Sequence, residues 1–343
     1  MKKLIIFVPA LVGLLLSSIS CESVIEFKGS EAEPKTVIYT ILQPDSLIIV
    51  SLAESHAVFE ERYEPGQITD AVVRLYRDGE FMETLTYVPA EPEPDYYPAN
   101  PYSKYVSQET RTVHGSTYRI EAEVSGMAKA SGEARLPDPV TITGIDTSTV
   151  LNEWGERQII VKLRFRDPAG TKNFYRLSAR AVSGIYTGDK EEPISPLMPV
   201  VVTETDISYG AYNEPLIAPK QEDDIFGMYL QNTYYLFTDE LISGKEYSLT
   251  LQYGYRYPDI EYYEFDHAFF SLHSISRDLH LYLQSYSAHI QTRDNFLAEP
   301  VLVYSNVNGG LGVVGAMSTS AESIKIGEYP VDGVVYEYRF YYK

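Results

Sequence analysis

Short runs of β-forming residues, separated by turn-forming residues, dominate the chain after residue 35. Alternation of apolar and polar side chains in such runs puts successive residues on opposite faces of a strand. Asp78-Gly79 lies between two of the runs and is typical of a hairpin turn. The runs are residues 37–42, 47–52, 71–76, 81–86 and 117–124. Strands at this spacing predict a mainly β protein that opens with an immunoglobulin-like β-sandwich over residues 36–138.

A second β-rich series begins after Leu136-Pro137-Asp138-Pro139. The two prolines interrupt strand pairing, so we place a domain boundary there. Residues 139–343 are therefore predicted to form a larger C-terminal β domain. Its clearest strands are residues 159–165, 174–179, 247–251 and 334–341.

One segment departs from the β pattern, because its apolar residues recur at intervals of three and four. These residues are Leu272, Ile275, Leu279, Tyr282, Leu283, Tyr286 and Ile290. The spacing predicts one amphipathic helix over residues 274–291, with Ser274 or Ser276 as its N-cap. We expect the apolar stripe to pack on the second sheet, and a helix that binds a partner protein is the alternative.

Two long stretches, residues 89–105 and 188–227, lack either pattern and are rich in proline and acidic residues. Loops of that length are usually functional or mobile, so a binding surface is expected there. Tyrosine is abundant in the chain, with 30 residues against one tryptophan, and it offers rigid contact area together with a hydroxyl. The candidate ligand or partner contacts are the tyrosines of the first stretch, Tyr96, Tyr97, Tyr102 and Tyr105.

Residues 1–20 have the pattern of a bacterial export signal, with Lys2 and Lys3 ahead of an apolar run. The apolar run is too short to span a bilayer as a helix, so we expect the signal to be cleaved. Cys21 follows directly and is the only cysteine in the chain. Bacterial lipoproteins are acylated at a cysteine in that place, so we predict attachment to the membrane through lipid on Cys21, with residues 21–35 as a tether. A chance cysteine in a spacer is the alternative.

The chain carries a formal net charge of −20. Such an excess of negative charge disfavours nucleic acid and anionic lipid surfaces, because both are themselves polyanionic. It favours solubility and cationic partners. The sequence therefore argues against a protein that binds nucleic acid.

Common catalytic motifs are absent from the sequence. It has no G-x-S-x-G serine motif, no H-E-x-x-H zinc motif and six scattered histidines. Two acidic groups could offer oxygen ligands to calcium, but neither has the spacing of a calcium loop, and solvated acidic loops are the simpler interpretation. The groups are Glu91, Glu93 and Asp95 in the first long stretch, and Glu222, Asp223 and Asp224 in the second. We predict no enzymatic activity, no cofactor and no metal site.

Residues 310–315 spell G-x-G-x-x-G and follow the strand-like residues 300–304. In dinucleotide-binding proteins this motif opens a helix whose N-terminus holds a pyrophosphate. No strong helix pattern follows the glycines here. Glycines that allow tight turning between paired strands are therefore favoured over a dinucleotide site.

Four segments of the chain resemble a known family. They are residues 165–168, 173–177, 237–239 and, most specifically, 295–316. The chain is similar along most of its length to the Bacteroidetes envelope lipoproteins of domain-of-unknown-function family 4249. The resemblance implies an outer-membrane lipoprotein encoded beside TonB-dependent receptors, and it brings no catalytic residues.

From these features we expect a non-enzymatic outer-membrane lipoprotein that helps a TonB-dependent receptor to capture a ligand or take up a nutrient. A structural or adhesive cell-envelope protein is the second hypothesis, and an unrecognised hydrolase is the third. The sequence leaves open whether the protein faces the periplasm or the cell surface.

Overall fold

The structure is a computed structural model. It describes residues 33–56, 66–89, 103–151, 155, 157–186, 200–206, 214–217, 224–225, 228–254, 263–293 and 301–325. The predicted signal, Cys21 and the predicted strand at 334–341 lie outside the described residues. In the part of the chain that is described, no helix is long and apolar enough to cross a membrane.

Strands account for most of the described residues, which confirms the prediction of a mainly β protein. In chain order they are β1 (Thr36–Leu42), β2 (Leu47–Glu54), β3 (Gly66–Gln67), β4 (Val72–Arg77), β5 (Glu80–Thr84), β6 (Thr86–Val88), β7 (Ser103–Arg111), β8 (Thr117–Glu123), β9 (Ala130–Arg135), β10 (Ile142–Leu151), β11 (Arg157–Arg166), β12 (Phe174–Tyr186), β13 (Val200–Asp206), β14 (Asp224–Ile225), β15 (Met228–Tyr229), β16 (Leu236–Thr238), β17 (Glu246–Gly254), β18 (Tyr263–Ile275) and β19 (Leu311–Lys325). A single α-helix, α1 (Arg277–Thr292), and a short 3-10 helix, Asp239–Leu241, complete the described elements.

One large sheet joins the two halves of the chain. Its strands follow the order β13-β12-β18-β19-β1-β2-β7-β6, with β16 beside β12 and β3 beside β2. Neighbours in this sheet are antiparallel except for β1 and β19, which run parallel with Val37 opposite Leu311 and Leu42 opposite Ala316. A strand from the C-terminal half therefore lies directly beside the first strand of the chain.

The N-terminal core lies between this sheet and a second sheet of order β5-β4-β8-β9. Alternation along β1 buries Ile38 and Leu42, and they pack in one cluster with Leu75 and Ile120 of the second sheet. Two sheets that face each other across one core form the sandwich-like arrangement predicted for residues 36–138. Val314 of β19 belongs to the same core, so a strand from beyond the predicted boundary completes it.

A second core lies between β12 and β18 of the large sheet and a three-stranded sheet of order β10-β11-β17. Four aromatic rings meet in it at centroid distances of 5.0 to 6.3 Å. They belong to Phe165, Tyr175, Phe237 and Tyr247. Tilted and stacked rings at these distances stabilise a core beyond the area that they bury.

Helix α1 packs on the face of the large sheet opposite the two cores. Along β19, Val314 and Ala316 point into the N-terminal core, while Met317 packs with the helix residue Leu279. The Leu279 side chain also approaches Gly315 so closely that a Cβ atom there would lie 3.0 Å from it. The large sheet is therefore the middle layer, with sheets on one face and the helix on the other.

The predicted helix is confirmed, but it starts later than residue 274. Ser276 is the N-cap, because its Oγ accepts a hydrogen bond from the Leu279 amide at 3.3 Å. Leu272 and Ile275 belong to β18, whose buried positions continued the three-and-four spacing by coincidence. The Ser274 hydroxyl accepts from the Val140 amide instead.

Two other sequence predictions are corrected by the structure. The long stretch 188–227 contains a regular strand, β13, which pairs with β12 from Asp206 opposite Arg180 to Val200 opposite Tyr186. Residues 301–304, the described part of the strand expected at 300–304, have no regular secondary structure. A strand forms only where a neighbouring strand offers hydrogen bonds, which the composition of a single segment does not show.

Candidate functional site

The predicted tyrosine surface can be followed at only one of its four residues, because Tyr96, Tyr97 and Tyr102 lie outside the described residues. Tyr105 is in β7, so the irregular stretch does not continue to residue 105 as expected. Its side chain is 1% exposed. Its hydroxyl donates to the Ile68 carbonyl and accepts from the Ala71 amide, both at 3.0 Å. Tyr105 therefore packs in the N-terminal core and has no free surface to offer a ligand.

The first three segments that carry the family resemblance meet at one buried polar cluster around Asp167. Oδ1 of Asp167 accepts hydrogen bonds from the Tyr175 hydroxyl at 2.5 Å and from Nδ2 of Asn173 at 3.2 Å. Oδ2 accepts from the Gly244 amide at 2.9 Å. Nδ2 of Asn173 also donates to Oδ2 of Asp239 at 3.2 Å. These hydrogen bonds link the start of β12 to two turns, the one before β12 and the one before β17.

This cluster is built for stability rather than chemistry. Both carboxylate oxygens of Asp167 accept hydrogen bonds from groups of the chain itself. Burial, followed by the bond to Asp167, raises the pKa of Tyr175, so its phenol stays protonated and acts only as a donor. Three of the four resembling segments therefore share a structural role.

The fourth resembling segment, residues 295–316, holds the glycines of the G-x-G-x-x-G pattern. Gly312 has a φ of +103°, and a Cβ atom there would lie 2.1 Å from the backbone oxygen of Ile38. The side chain of Asn306 pairs with both backbone groups of Val314 at 2.9 Å. Strand β19 begins at Leu311, so Gly312 and Gly315 lie within the strand, and without a helix N-terminus this segment has no cradle for a pyrophosphate. Its glycines allow close packing of β19 against β1.

A serine, a histidine and a threonine form a polar ladder on the helix side of the large sheet. Nε2 of His273 lies 2.8 Å from the Ser178 hydroxyl, and Nδ1 lies 2.7 Å from the Thr319 hydroxyl. Burial, and then the charge of Arg176, lower the pKa of His273 to about 4. A histidine of that pKa is a weak base, and its second nitrogen faces a hydroxyl rather than the carboxylate of a catalytic triad.

Five side chains from four separate segments converge beside helix α1, and we call them the tyrosine–arginine cluster. They are Tyr39 of β1, Arg176 of β12, Tyr234 of the turn before β16, and Tyr282 and Tyr286 of α1. The guanidinium carbon of Arg176 lies 5.4 Å from the ring centroid of Tyr234. The ring of Tyr282 lies 6.2 Å from Tyr39 and stacks on Tyr286 at 5.9 Å, with 5° between the ring planes.

The cluster combines an exposed rim with an unsatisfied donor. Tyr39 is 42% exposed and Tyr286 is 37% exposed. Nε of Arg176 is buried, and among the described residues it has no hydrogen-bond partner. A buried donor without an acceptor is costly, so such a group in a folded protein calls for an explanation.

Burial is the largest cause that raises the pKa of Tyr39 and of Tyr234, and the charge of Arg176 opposes it in both. Each phenol therefore keeps its proton near neutral pH. The guanidinium of Arg176 stays charged at every pH at which the protein is folded. The cluster offers N–H and O–H donors together with aromatic faces.

Sequence reasoning missed this cluster because it looked for tyrosines that are close together along the chain. Tyr282 and Tyr286 were assigned to the apolar stripe of the helix, and Arg176 stood unremarked in a resembling segment. The four-residue spacing of the two helical tyrosines was the one available signal, since it puts both on the same helix face.

Within the described ranges, no group of three or more His, Cys, Asp or Glu residues could hold a metal ion. Of the six acidic residues considered for calcium, only Asp224 lies in a described segment, in β14. The calcium alternative therefore stays untested.

A search of curated proteins finds no match to this chain. The family described as "Domain of unknown function (DUF4249)" matches residues 22–323. That range includes every strand and the helix described above except the last two residues of β19. The chain therefore belongs to the DUF4249 family.

Proposed function

We propose that the protein is a non-enzymatic, lipid-anchored binding protein of the outer membrane, which captures a ligand as an accessory to a TonB-dependent receptor. The observation that carries the binding role is the tyrosine–arginine cluster, in which the buried Nε of Arg176 has no hydrogen-bond partner among the described residues and the rings of Tyr39 and Tyr286 are exposed. Ligand sites typically combine aromatic walls with a few convergent polar groups. The cluster has that composition.

The chemistry of the cluster favours binding over catalysis. The phenols of Tyr39 and Tyr234 have a raised pKa and stay protonated, and the arginine is a fixed cation, so none of the three accepts a proton at neutral pH. The neighbouring His273, with a pKa of about 4, is a weak general base. Donors and flat rings without a proton acceptor hold a ligand but do not activate a nucleophile.

The lipid anchor is supported by the sequence before Cys21 and is tested in the native cell. We expect the Cys21→Ala protein to move from the sedimented envelope fraction to the soluble fraction. Ser23→Ala is the matched control, because it changes a small neighbour and leaves the thiol. If the Cys21→Ala protein sediments as firmly as the parent, the anchor is not at Cys21.

The receptor partnership is supported by the resemblance to lipoproteins encoded beside TonB-dependent receptors. We expect an outer-membrane receptor to co-purify with the tagged protein from membranes solubilised in mild detergent. The Cys21→Ala protein serves as a comparison, because the loss of membrane attachment should reduce that recovery. Repeated recovery of the tagged protein alone would contradict the partnership.

A structural or adhesive role has one observation in its favour. Strand β10 ends the order of the three-stranded sheet, and it exposes Val150 and Leu151 near its end. An open strand edge with apolar side chains is a site where another chain can add a strand. If this role holds, Leu151→Lys should reduce self-association measured by sedimentation velocity.

A further inference from the structure

We propose that the tyrosine–arginine cluster binds a single carboxylate carried on a ring-shaped small molecule. This proposal rests on the proposed binding function and names the ligand class. It is carried by three features of the described residues: the buried Nε of Arg176, the arrangement of the tyrosine rings and the charge around them.

The Nε atom of Arg176 has no hydrogen-bond acceptor among the described residues. The ring of Tyr234 lies over the guanidinium carbon, but none of the ion pairs in the described part of the chain includes Arg176. The Nε atom is also buried. A carboxylate matches the fork of a guanidinium, because its two oxygens accept two parallel N–H bonds. A ligand carboxylate would therefore satisfy the buried donor.

The tyrosine rings explain why the carboxylate should be attached to a ring. Tyr286 stacks on Tyr282 and is 37% exposed, and Tyr39, which lies 6.2 Å from Tyr282, is 42% exposed. Flat aromatic faces pack well against an aromatic or sugar ring. The tyrosine hydroxyls add hydrogen-bond donors for further oxygen atoms of such a ligand.

The charge around the cluster limits the ligand to one negative charge. Arg176 is the only cation that the described contacts place in the cluster, since Lys172 lies over the ring of Phe174 instead. His273 and His280, both with a pKa lowered to about 4, are neutral at physiological pH. The chain as a whole carries −20, which opposes the approach of a multiply charged anion.

A cationic ligand is disfavoured by the same arrangement. Tyrosine cages bind quaternary ammonium groups through their ring faces. Here the guanidinium of Arg176 already occupies the face of Tyr234. Its charge would repel a second cation.

The test uses the purified full chain in detergent and measures binding by isothermal titration calorimetry. The probes are benzoate and glucuronate, each beside its uncharged counterpart, benzamide and glucose. We expect at least one carboxylate to bind ten or more times tighter than its counterpart, and the two pairs distinguish an aromatic ring from a sugar ring. Equal binding within both pairs, or no binding of any probe, would overturn the proposal.

Matched variants locate the binding at Arg176. We expect Arg176→Gln to weaken binding of the carboxylate at least tenfold, because it removes the charge and keeps a long polar side chain. Arg180→Gln is the control, since it makes the same change in charge four residues along the same strand. Unchanged binding by Arg176→Gln, or an equal loss in both variants, would overturn the proposal.

A second variant keeps the test decisive if Arg176→Gln fails to fold. Tyr39→Phe removes one hydroxyl from an exposed ring and should leave the thermal unfolding temperature unchanged. We expect it to weaken binding several-fold. If Arg176→Gln does not fold and Tyr39→Phe binds as tightly as the parent, the proposal is overturned.

Failure of this ligand class is distinguishable from failure of the proposed function. Calorimetry on the purified chain needs no receptor, so a negative result there rejects only the ring carboxylate. Co-purification of a receptor is read separately. If a carboxylate probe binds in the titration but no receptor co-purifies, the ligand site stands and the receptor partnership is rejected.

Discussion

The hydroxyl of Tyr175 donates a 2.5 Å hydrogen bond to Oδ1 of Asp167, which stands eight residues earlier in the chain. Both residues are at most 1% exposed. The same carboxylate accepts bonds from Asn173 and Gly244. A buried carboxylate that accepts three hydrogen bonds holds together segments that are distant in sequence. This role explains why those scattered segments share the family resemblance.

Removal of this carboxylate should destabilise the protein strongly. We expect Asp167→Ala to lower the free energy of unfolding by about 3–5 kcal/mol, because it removes the buried acceptor that three donors share and leaves the Tyr175 hydroxyl and the Gly244 amide without the bond. Tyr175→Phe should cost about 1–3 kcal/mol, since two donors remain. Denaturant unfolding measures both.

The control for that experiment is Asp146→Asn. Asp146 pairs with Arg164 on the surface, where ion pairs contribute about 0–1 kcal/mol. If Asp146→Asn destabilises the protein as much as Asp167→Ala, the effect comes from the loss of a negative charge in general and not from the loss of the buried hydrogen bonds to Asp167.

Gly312 should tolerate no side chain. Gly312→Ala combines a positive φ with a Cβ atom 2.1 Å from the Ile38 oxygen, so we expect a loss of more than about 3 kcal/mol. Gly170→Ala is the matched control, because Gly170 has a φ of +89° but no atom within 4 Å of the added carbon. It should cost only about 1–2 kcal/mol of backbone strain. Similar losses in the two variants would mean that β19 does not pack this closely on β1.

The protein should lose stability as the pH falls from about 6.5 to about 4. His273 and His280 have a pKa of about 4 in the folded chain, chiefly because burial disfavours their charged forms, and about 6.5 when unfolded. Between these values the unfolded state binds more protons, so protonation favours unfolding. The loss should be on the order of 2–3 kcal/mol per histidine at pH 4.

Unfolding of His280→Gln across this pH range checks that prediction. Nδ1 of His280 has no hydrogen-bond partner among the described residues, so the substitution breaks no bond at that atom. We expect a shallower decline of stability with falling pH than in the parent. His289→Gln, on the same helix, is the control, and an equal change in both variants would contradict the assignment to His280.

The N-terminal sandwich should not fold without β19. A fragment of residues 34–138 lacks Val307, Val314 and Ala316, which fill its core. We expect it to bind a hydrophobic dye and to unfold without a cooperative transition. Fusion of residues 301–325 through a flexible linker should restore cooperativity. Cooperative unfolding of the short fragment alone would support the predicted boundary at residue 138 as a division between independent domains.

The local elements were predictable because their signals are local. The β1–β2 hairpin follows from two β-rich runs around a turn, and Ser276 was one of two caps considered for the helix. The start of the helix was misplaced because β18 ends in buried apolar residues, which extended the apparent helical spacing. A strand and a helix that share one buried face cannot be separated by periodicity alone.

Tyr105 and Arg176 show why the candidate site was not predictable. Tyr105 looked like a loop residue because its strand follows a long stretch without pattern, yet it is buried. Arg176 looked like an ordinary strand residue. It is a candidate binding residue only because tyrosine rings from other segments lie beside it in the folded chain. Composition identifies residue types that suit recognition, but it does not say which of them meet.

The sequence by itself determined the β class, the helix after β18, the acidic charge and the predicted lipid attachment at Cys21, because each depends on residues adjacent in the chain. The tertiary structure decided the pairing of β1 with β19, the buried hydrogen bonds to Asp167 and the proximity of four tyrosines to Arg176. These depend on long-range strand pairing, in which register follows from the match of two distant buried faces. No local pattern encodes that match.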